Sequence, residues 1–344
     1  MSEQPNELVT EALDAVAGGR DLSAAEASAV LAEIMRGAVS PTQIAGFLIA
    51  LRTKGETVDE LAGLARTMRE LAIRVDTRAR DLLDTAGTGG GRRSFNVSTT
   101  AALIAAGAGC AVAKHGNRSA RSPSGSADLL EALGARIDLD AAGVGRCIDE
   151  AGFGFMFAPA HHQATRFVAP VRRELAVRTI FNFLGPLTNP AGARRQLVGV
   201  SDARYLETIA GALARLGVDR ALVVAGEDGL DEVSATAATR IVEVNGQEIR
   251  AYTIVPDELG IDQTSDTVPE GGTPEHNAGL TRAVLAGEPG PARQLALINA
   301  GAAIYAAGAA PSLLAGVELA RGAVDDGRAA RALDRFVAAT HAAP

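Results

Sequence analysis

The chain has 344 residues, 47% of them hydrophobic and 22% charged, with a formal net charge of −8. That length supports two domains or one large core with a smaller attached unit. The acidic balance argues against a general nucleic-acid binder, which carries a basic face, and no apolar run reaches the roughly 18 to 20 residues of a membrane span. The first residues, MSEQPNELVTEALDAV, lack the basic-then-apolar layout of a signal peptide. Cys110 and Cys147 stand in apolar surroundings without metal-ligand spacing, as expected of buried thiols in a reducing compartment. A cytoplasmic protein with neither membrane nor nucleic acid as partner is the expectation.

Residues 1–75 read as short helices. Ser23 caps AAEASAVLAEIMRG, Ser40 with Pro41 opens TQIAGFLIALRTKG, and Thr57 caps VDELAGLARTMRELAI. From about residue 80 short apolar runs alternate with helical ones: LLDTA, STTAALIAAGA, CAVAK, SADLLEALGA, GVGRCIDEAG, FGFMFA, QLVGV, DARYLETIAGALARLG and ALVVAG. This alternation predicts an α/β fold with a mainly parallel sheet flanked by helices. RIVEV and QEIRAYTI predict one hairpin turning on Asn245-Gly246. VAPVRRELAVRTIFNFL, 168–184, reads as a basic helical segment, and the tail from Pro274 returns to helices. The expected division is a helical unit over 1–75, rejoined by 168–190, and an α/β unit over 76–344.

The stretch DTAGTGGGRRSFNVST, 84–99, bears on chemistry. It fits neither G-x-x-x-x-G-K-[ST] nor G-x-G-x-x-G, because Arg92 occupies the sixth position from Gly87. Its glycines permit close backbone approach to an anion, and a helix starting near Ser98 adds its N-terminal dipole. Taken alone, the loop reads equally well as a glycine turn before an N-cap. KHGNRSARSPSGSADLLEALG, 114–134, follows a predicted strand and gathers cations and hydroxyls at a strand end, where open α/β sheets bind ligands.

In order along the chain, GTGG…FNVST, KHGNR…SGSAD, VAPVRRELAVRTIFNFLGPLTNP and DGLDE resemble the anthranilate phosphoribosyltransferase family. The resemblance extends over nearly the whole chain. It implies transfer of the 5-phosphoribosyl group from 5-phosphoribosyl pyrophosphate to the amine of anthranilate, with release of pyrophosphate, in tryptophan biosynthesis. It also implies Mg²⁺ as cofactor and a homodimer formed through the helical unit. On the matching positions, it implies that Gly87, Gly90, Gly91, Asn96, Val97, Ser98 and Thr99 hold phosphoribosyl pyrophosphate. Lys114, His115, Gly116, Asn117, Arg118, Ser119, Ala120, Arg121, Ser122 and Ser126 are implied for the same substrate. Gly87, Asn117 and Arg172 are implied for anthranilate, and Ser98, Asp231 and Glu232 for the metal. Read by itself, DGLDE is an ordinary acidic turn.

The aniline nitrogen is unprotonated at neutral pH, so His115 is expected to position rather than abstract a proton. His161 and His162 are expected to be structural, and Arg173 and Arg178 helix-surface charges. Three departures from the family pattern stand out. The loop lacks an acid after GTGG and is one residue short before Asn96, Arg121 replaces a small hydroxyl residue, and Ala225 stands where histidine is common. Arg92 or Arg93 is therefore expected to replace part of the metal-mediated attraction. Other readings are a nucleoside phosphorylase on the same fold and a non-catalytic, nucleic-acid-binding relative.

Overall fold

A computed structural model describes residues 4–119, 122–261 and 267–342. Helices α1 (Glu7–Ala17), α2 (Ala24–Met35), α3 (Pro41–Lys54) and α4 (Val58–Glu70) come first. The next group is β1 (Leu83–Gly87), α5 (Val97–Gly107), β2 (Val112–Gly116), α6 (Ser126–Ala132), α7 (Ala141–Ala151), β3 (Phe153–Phe157) and α8 (Ala158–His161). Then follow α9 (Ala169–Leu175), α10 (Phe181–Leu187), β4 (Arg195–Gly199), α11 (Leu206–Arg215), β5 (Arg220–Gly226), β6 (Thr239–Asn245) and β7 (Glu248–Ile254). The chain closes with α12 (Pro274–Leu285), α13 (Pro291–Ala306), α14 (Leu313–Asp325) and α15 (Arg328–Ala342). None of the described helices is long and apolar enough to cross a membrane.

The first helices start where their caps place them. Ser23 and Thr57 each accept from the backbone three residues on, and Glu26 and Glu60 return the bond to the cap N–H, completing capping boxes. Ser40 accepts from the Gln43 N–H, with Pro41 at the first helical position. Glu60 is fully buried yet satisfied, accepting from the Leu22 N–H at 2.9 Å and from Lys54 at 3.1 Å.

Seven strands form one sheet in the order β3-β2-β1-β4-β5-β6-β7. The pairings from β3 through β5 are parallel, and β6 and β7 add an antiparallel edge. The fold is thus the expected α/β arrangement with a helical unit. Alternation along the strands divides the core in two. Leu197, Leu222, Val224 and Ile241 face a cluster shared with α5, α7 and α12 to α15. Val198, Val223, Val242 and Val244 face the other side, in one cluster with α1 to α4 and α9 to α11. Val168, Val171, Ile180 and Phe181 belong to that second cluster, and α9 packs on α3.

Two local expectations need correction. Segment 168–184 is not one helix, because Ala176 adopts φ 51° and ends α9 before α10 begins. The β6–β7 hairpin pairs Asn245 with Glu248, so its two turn residues are Gly246 and Gln247. Gly246 has φ 60° and sits first in the turn, the place where a two-residue hairpin demands glycine.

Candidate active site

The chain leaves β1 to build β2 and β3 on one side, then returns to lay β4 on the other. The carboxyl ends of β1 and β4 therefore flank the topological switch point, where open α/β sheets leave a crevice for ligands. A cleft of about 640 Å³ opens there. Gly87, Lys114 and His115 line it from the sheet, Gly89 and Gly90 from the loop after β1, Ser98 from the start of α5, and Asn117, Arg118 and Ser119 with Ser126 from the loop after β2 and the start of α6. His162, Arg172, Arg178 and Phe181 line the opposite wall.

The glycine loop is shaped by what lies against it. A Cβ on Gly91 would stand 2.6 Å from Asp231 Oδ1, and one on Gly87 would stand 3.3 Å from Asp231 Oδ2. On Gly90 it would meet the Arg178 guanidinium at 2.0 Å. Beside Gly89, at φ 66°, there is open space. The loop therefore wraps the Asp231 carboxylate and leaves open space on the Cα side of Gly89, which is absent from the expected contacts. Arg92 ties the loop to the acidic turn by donating its N–H to Gly229 O at 2.7 Å. The side chains of Arg92 and Arg93 are exposed.

The Asp231 carboxylate lies against the backbone of Gly87 and Gly91, and the Gly89 and Ser98 backbone N–H groups favour the charged forms of Asp231 and Glu232 respectively. Burial raises the pKa of both carboxyls, Glu232 well above its ordinary value, and the Asp231 charge raises Glu232 further. No group of three acidic, histidine or cysteine side chains converges on a metal position among the described residues. Two carboxylates beside the Ser98 hydroxyl nevertheless suit Mg²⁺, which completes its shell from water and phosphate oxygens. The donor set fits the ion.

Lys114 is fully buried and donates to the Thr85 carbonyl, to Thr85 Oγ1 at 3.2 Å and to Ser98 Oγ at 3.5 Å. Burial lowers its pKa, while Asp84 and Glu232 oppose that shift. On the other face of the sheet Asp84 accepts from the His115 N–H at 3.0 Å and from Asn189 Nδ2 at 2.7 Å. His115 Nδ1 donates to Gly185 O at 3.1 Å, and its buried Nε2 has no partner among the described residues. Burial drives its pKa down to about 3, with His162 adding to the effect. The His162 ring stands 5.1 Å away with its own Nε2 unpartnered, and burial lowers its pKa to about 4.

Arg172 lies over the Phe181 ring at 5.2 Å, forms no ion pair with a described carboxylate, and has its pKa lowered by burial. Arg178 is not a surface charge as expected. The break at Ala176 turns it toward the loop, where it donates to Gly89 O at 3.2 Å and Gly90 O at 3.0 Å. Arg118 is tied to Asp128 at 2.6 Å and to Glu131, over the Phe157 ring. Ser122 bonds to Ser119 Oγ at 2.6 Å. Asn96, Val97 and Thr99 stand at the start of α5, with Asn96 held by Ser124. Gly116 ends β2 within the cleft. Ala120 and Arg121 lie outside the described residues. Motif reading missed Asp84, Asn189, Arg178 and Gly89. All four stand in stretches with a visible signal, Asp84 and Gly89 in DTAGTGGGRRSFNVST, Arg178 and Asn189 in VAPVRRELAVRTIFNFLGPLTNP, but nothing local marks the partner each one meets.

A glycosyl transferase family model for a helical bundle domain matches residues 10–72, and one for the family's a/b domain matches residues 79–330. The anthranilate phosphoribosyltransferase of Symbiobacterium thermophilum is 52% identical over 327 residues, 95% of this chain and 96% of that protein. The crystal structure of the Thermus thermophilus anthranilate phosphoribosyltransferase superposes with a TM-score of 0.91 at 48% identity, covering 96% of this chain and 99% of the other. The Saccharomyces cerevisiae enzyme, in complex with phosphoribosyl pyrophosphate and Mg, gives a TM-score of 0.87 at 25% identity, over 97% and 98% of the two chains. With its glycine loop, buried acidic pair and arginine wall gathered at the switch point of a matching fold, this chain belongs to the anthranilate phosphoribosyltransferase family.

Proposed function

We propose that this chain transfers the 5-phosphoribosyl group from phosphoribosyl pyrophosphate to the amine of anthranilate, releasing pyrophosphate, as a step of tryptophan biosynthesis. The observation carrying this reading is that one cleft brings Arg172, which has no acidic partner among the described residues, to the same space as the loop wrapped on Asp231. A guanidinium takes a carboxylate by two hydrogen bonds, and Phe181 beneath it offers an apolar surface to an aromatic ring. Gly87 and Asn117 border the same space and complete the anthranilate end.

The diphosphate end falls to Gly89, Gly90 and Gly91, with Asn96, Val97, Ser98 and Thr99 at the start of α5. Lys114 with Gly116 to Ser119, Ser122 and Ser126 border the sugar phosphate. Ser98, Asp231 and Glu232 would hold Mg²⁺, which when bound would screen the charge on the leaving pyrophosphate. As the bond from ribose C1 to pyrophosphate breaks, C1 gains oxocarbenium character and the amine nitrogen bonds to it from the opposite side. The amine then sheds a proton to solvent. His115, whose pKa burial drives down, is neutral at the working pH, which suits positioning at the cleft rather than action as a strong base. Asp84, itself held by Asn189, fixes the His115 backbone N–H, and Gly185 O holds the ring through Nδ1.

The same reading makes the chain a cytoplasmic homodimer. Its two buried thiols, Cys110 and Cys147, are unpaired. Leu13, Val16, Ala45 and Ile49 of α1 and α3 line an apolar groove on the helical unit. Light scattering at twice the chain mass supports the dimer, and the single chain mass refutes it. The activity itself is tested by following anthranilate fluorescence with phosphoribosyl pyrophosphate and Mg²⁺, beside phosphorolysis of pyrimidine nucleosides. Loss of fluorescence without phosphorolysis is expected. Phosphorolysis alone overturns the reading in favour of a nucleoside phosphorylase.

A further inference from the structure

Asn277 lies on α12, 181 positions from Asn96, and is almost fully buried. Its Oδ1 accepts from the Gly272 backbone N–H at 2.8 Å, and its Nδ2 donates to Asn96 Oδ1 at 2.7 Å. Ser124 Oγ donates to the same Asn96 oxygen at 3.0 Å, and Asn96 Nδ2 donates to the Ser124 carbonyl at 3.3 Å. The chain of bonds begins at a backbone N–H, which can only donate, and ends at a backbone carbonyl, which can only accept. Neither carboxamide can therefore reverse. Both acceptor positions of the Asn96 oxygen are filled, and the only polar capacity left on its side chain is one N–H.

A residue at the N-cap ordinarily spends its side-chain oxygen on the first free N–H groups of its helix. Asn96 occupies that place on α5 and makes no such bond. Its oxygen is turned away from the helix start by a partner on another helix. The seating of α12 is itself tightly registered. A Cβ on Gly271 would stand 2.2 Å from Ser94 O, and Thr281 and Thr100 meet at 2.9 Å.

We infer that Asn277 is a positioning residue for the transfer reaction: it locks the Asn96 carboxamide so that Asn96 meets the substrate phosphate with N–H and never with oxygen. This rests on the assignment of Asn96 to the phosphoribosyl pyrophosphate end of the cleft. An oxygen in that place would repel the anion, and a freely turning carboxamide would present it part of the time. The lock removes that orientation before substrate arrives.

Asn277→Asp separates this role from packing. It has nearly the same shape and keeps an acceptor for the Gly272 N–H, but at pH 8.5 it puts a carboxylate oxygen against Asn96 and favours the flipped carboxamide. Calorimetric titration with phosphoribosyl pyrophosphate and Mg²⁺ is expected to show affinity weakened by roughly tenfold, the scale for loss of a hydrogen bond to a charged group. The KM for anthranilate is expected to stay within about twofold of the parent. Asn96→Ala is the reference, and a loss of similar size there supports the inference. If Asn96→Ala binds as tightly as the parent, the phosphate role of Asn96 fails and the inference fails with it. If Asn96→Ala weakens binding while a folded Asn277→Asp does not, the inference alone is overturned. Should Asn277→Asp fail to fold, Asn277→Ala decides, since it removes the Asn277 donor to the Asn96 oxygen without adding a charge. Several-fold weaker binding of phosphoribosyl pyrophosphate then supports the lock, and parental affinity refutes it.

Discussion

Arg172 and Gly91 illustrate how a single position acquires meaning from its neighbours. Arg172 rests on Phe181 and has no carboxylate to pair with among the described residues, so its half-buried charge is held ready for an anion. Arg172→Ala is expected to raise the KM for anthranilate by about tenfold or more and to leave the KM for phosphoribosyl pyrophosphate near the parent value. Arg172→Lys restores charge but not the two-bonded fork, so it recovers part of the loss. Steady-state kinetics with each substrate varied in turn reads both effects, and equal changes in the two KM values would count against the assignment. Gly91 explains the missing acid of the loop. Any side chain there would press on Asp231 Oδ1 at 2.6 Å, so the shortened loop has room for one carboxylate, and Asp231 supplies it. Arg92 and Arg93 then stand exposed beside the pair. The expectation that they assist attraction of the substrate is tested by Arg92→Ala and Arg93→Ala. A KM for phosphoribosyl pyrophosphate within about twofold of the parent in both, against the roughly tenfold cost of losing a charge-assisted bond, removes the idea.

Among the elements, the acidic turn after β5 and the end of β4 are the most tightly joined. A Cβ on Gly199 would stand 1.7 Å from the Asp231 carbonyl oxygen, a backbone atom with little room to retreat. Gly199→Ala is expected to destabilise the fold by about 3 kcal/mol, as overpacking does, and to weaken the apparent affinity for Mg²⁺. Urea unfolding and a metal titration of activity check the two effects, and parental values in both would mean the turn is free to move. The strands, the capped N-terminal helices and the glycine loop were legible in the sequence because each rests on local chemistry: alternation, an N-cap with its glutamate, a run of glycines. The break between α9 and α10 was not, since nothing in LAVRT signals that Ala176 will take a left-handed conformation. That break is what carries Arg178 to the loop. Hairpin register likewise depended on pairing Asn245 with Glu248 rather than on the Asn-Gly pair itself. The Asn277 contact spans 181 positions, and no local pattern encodes such a distance.

At the scale of the whole molecule, one sheet separates two apolar cores, and the cleft lies where the topology parts β1 from β4. Two neutral imidazoles are sealed beside that cleft, and this couples folding to acidity. The pKa values of His115 and His162 are about 3 and about 4 in the fold, against about 6.5 in an unfolded chain. Unfolding therefore takes up protons below about pH 6.5, so the stability the neutral rings confer is complete above that pH and is lost as pH falls toward their folded values. Asp84, Asp231 and Glu232, whose pKa values burial raises, act in the opposite sense, so the histidine effect is read as a difference. Between pH 6.5 and 4, the stability of the parent relative to His162→Asn should fall by about 1 kcal/mol per pH unit on average, and by no more than about 1.4 at the steepest. A difference that does not vary with pH would mean that His162 is solvated in the fold. The account as a whole makes one cleft the place where an aromatic amine displaces pyrophosphate from ribose. Mixing the protein with phosphoribosyl pyrophosphate and Mg²⁺, with and without anthranilate, and quantifying pyrophosphate tests this most directly. The account predicts one pyrophosphate released for each anthranilate consumed and almost none without it; no release with both substrates present, or release indifferent to anthranilate, would contradict it.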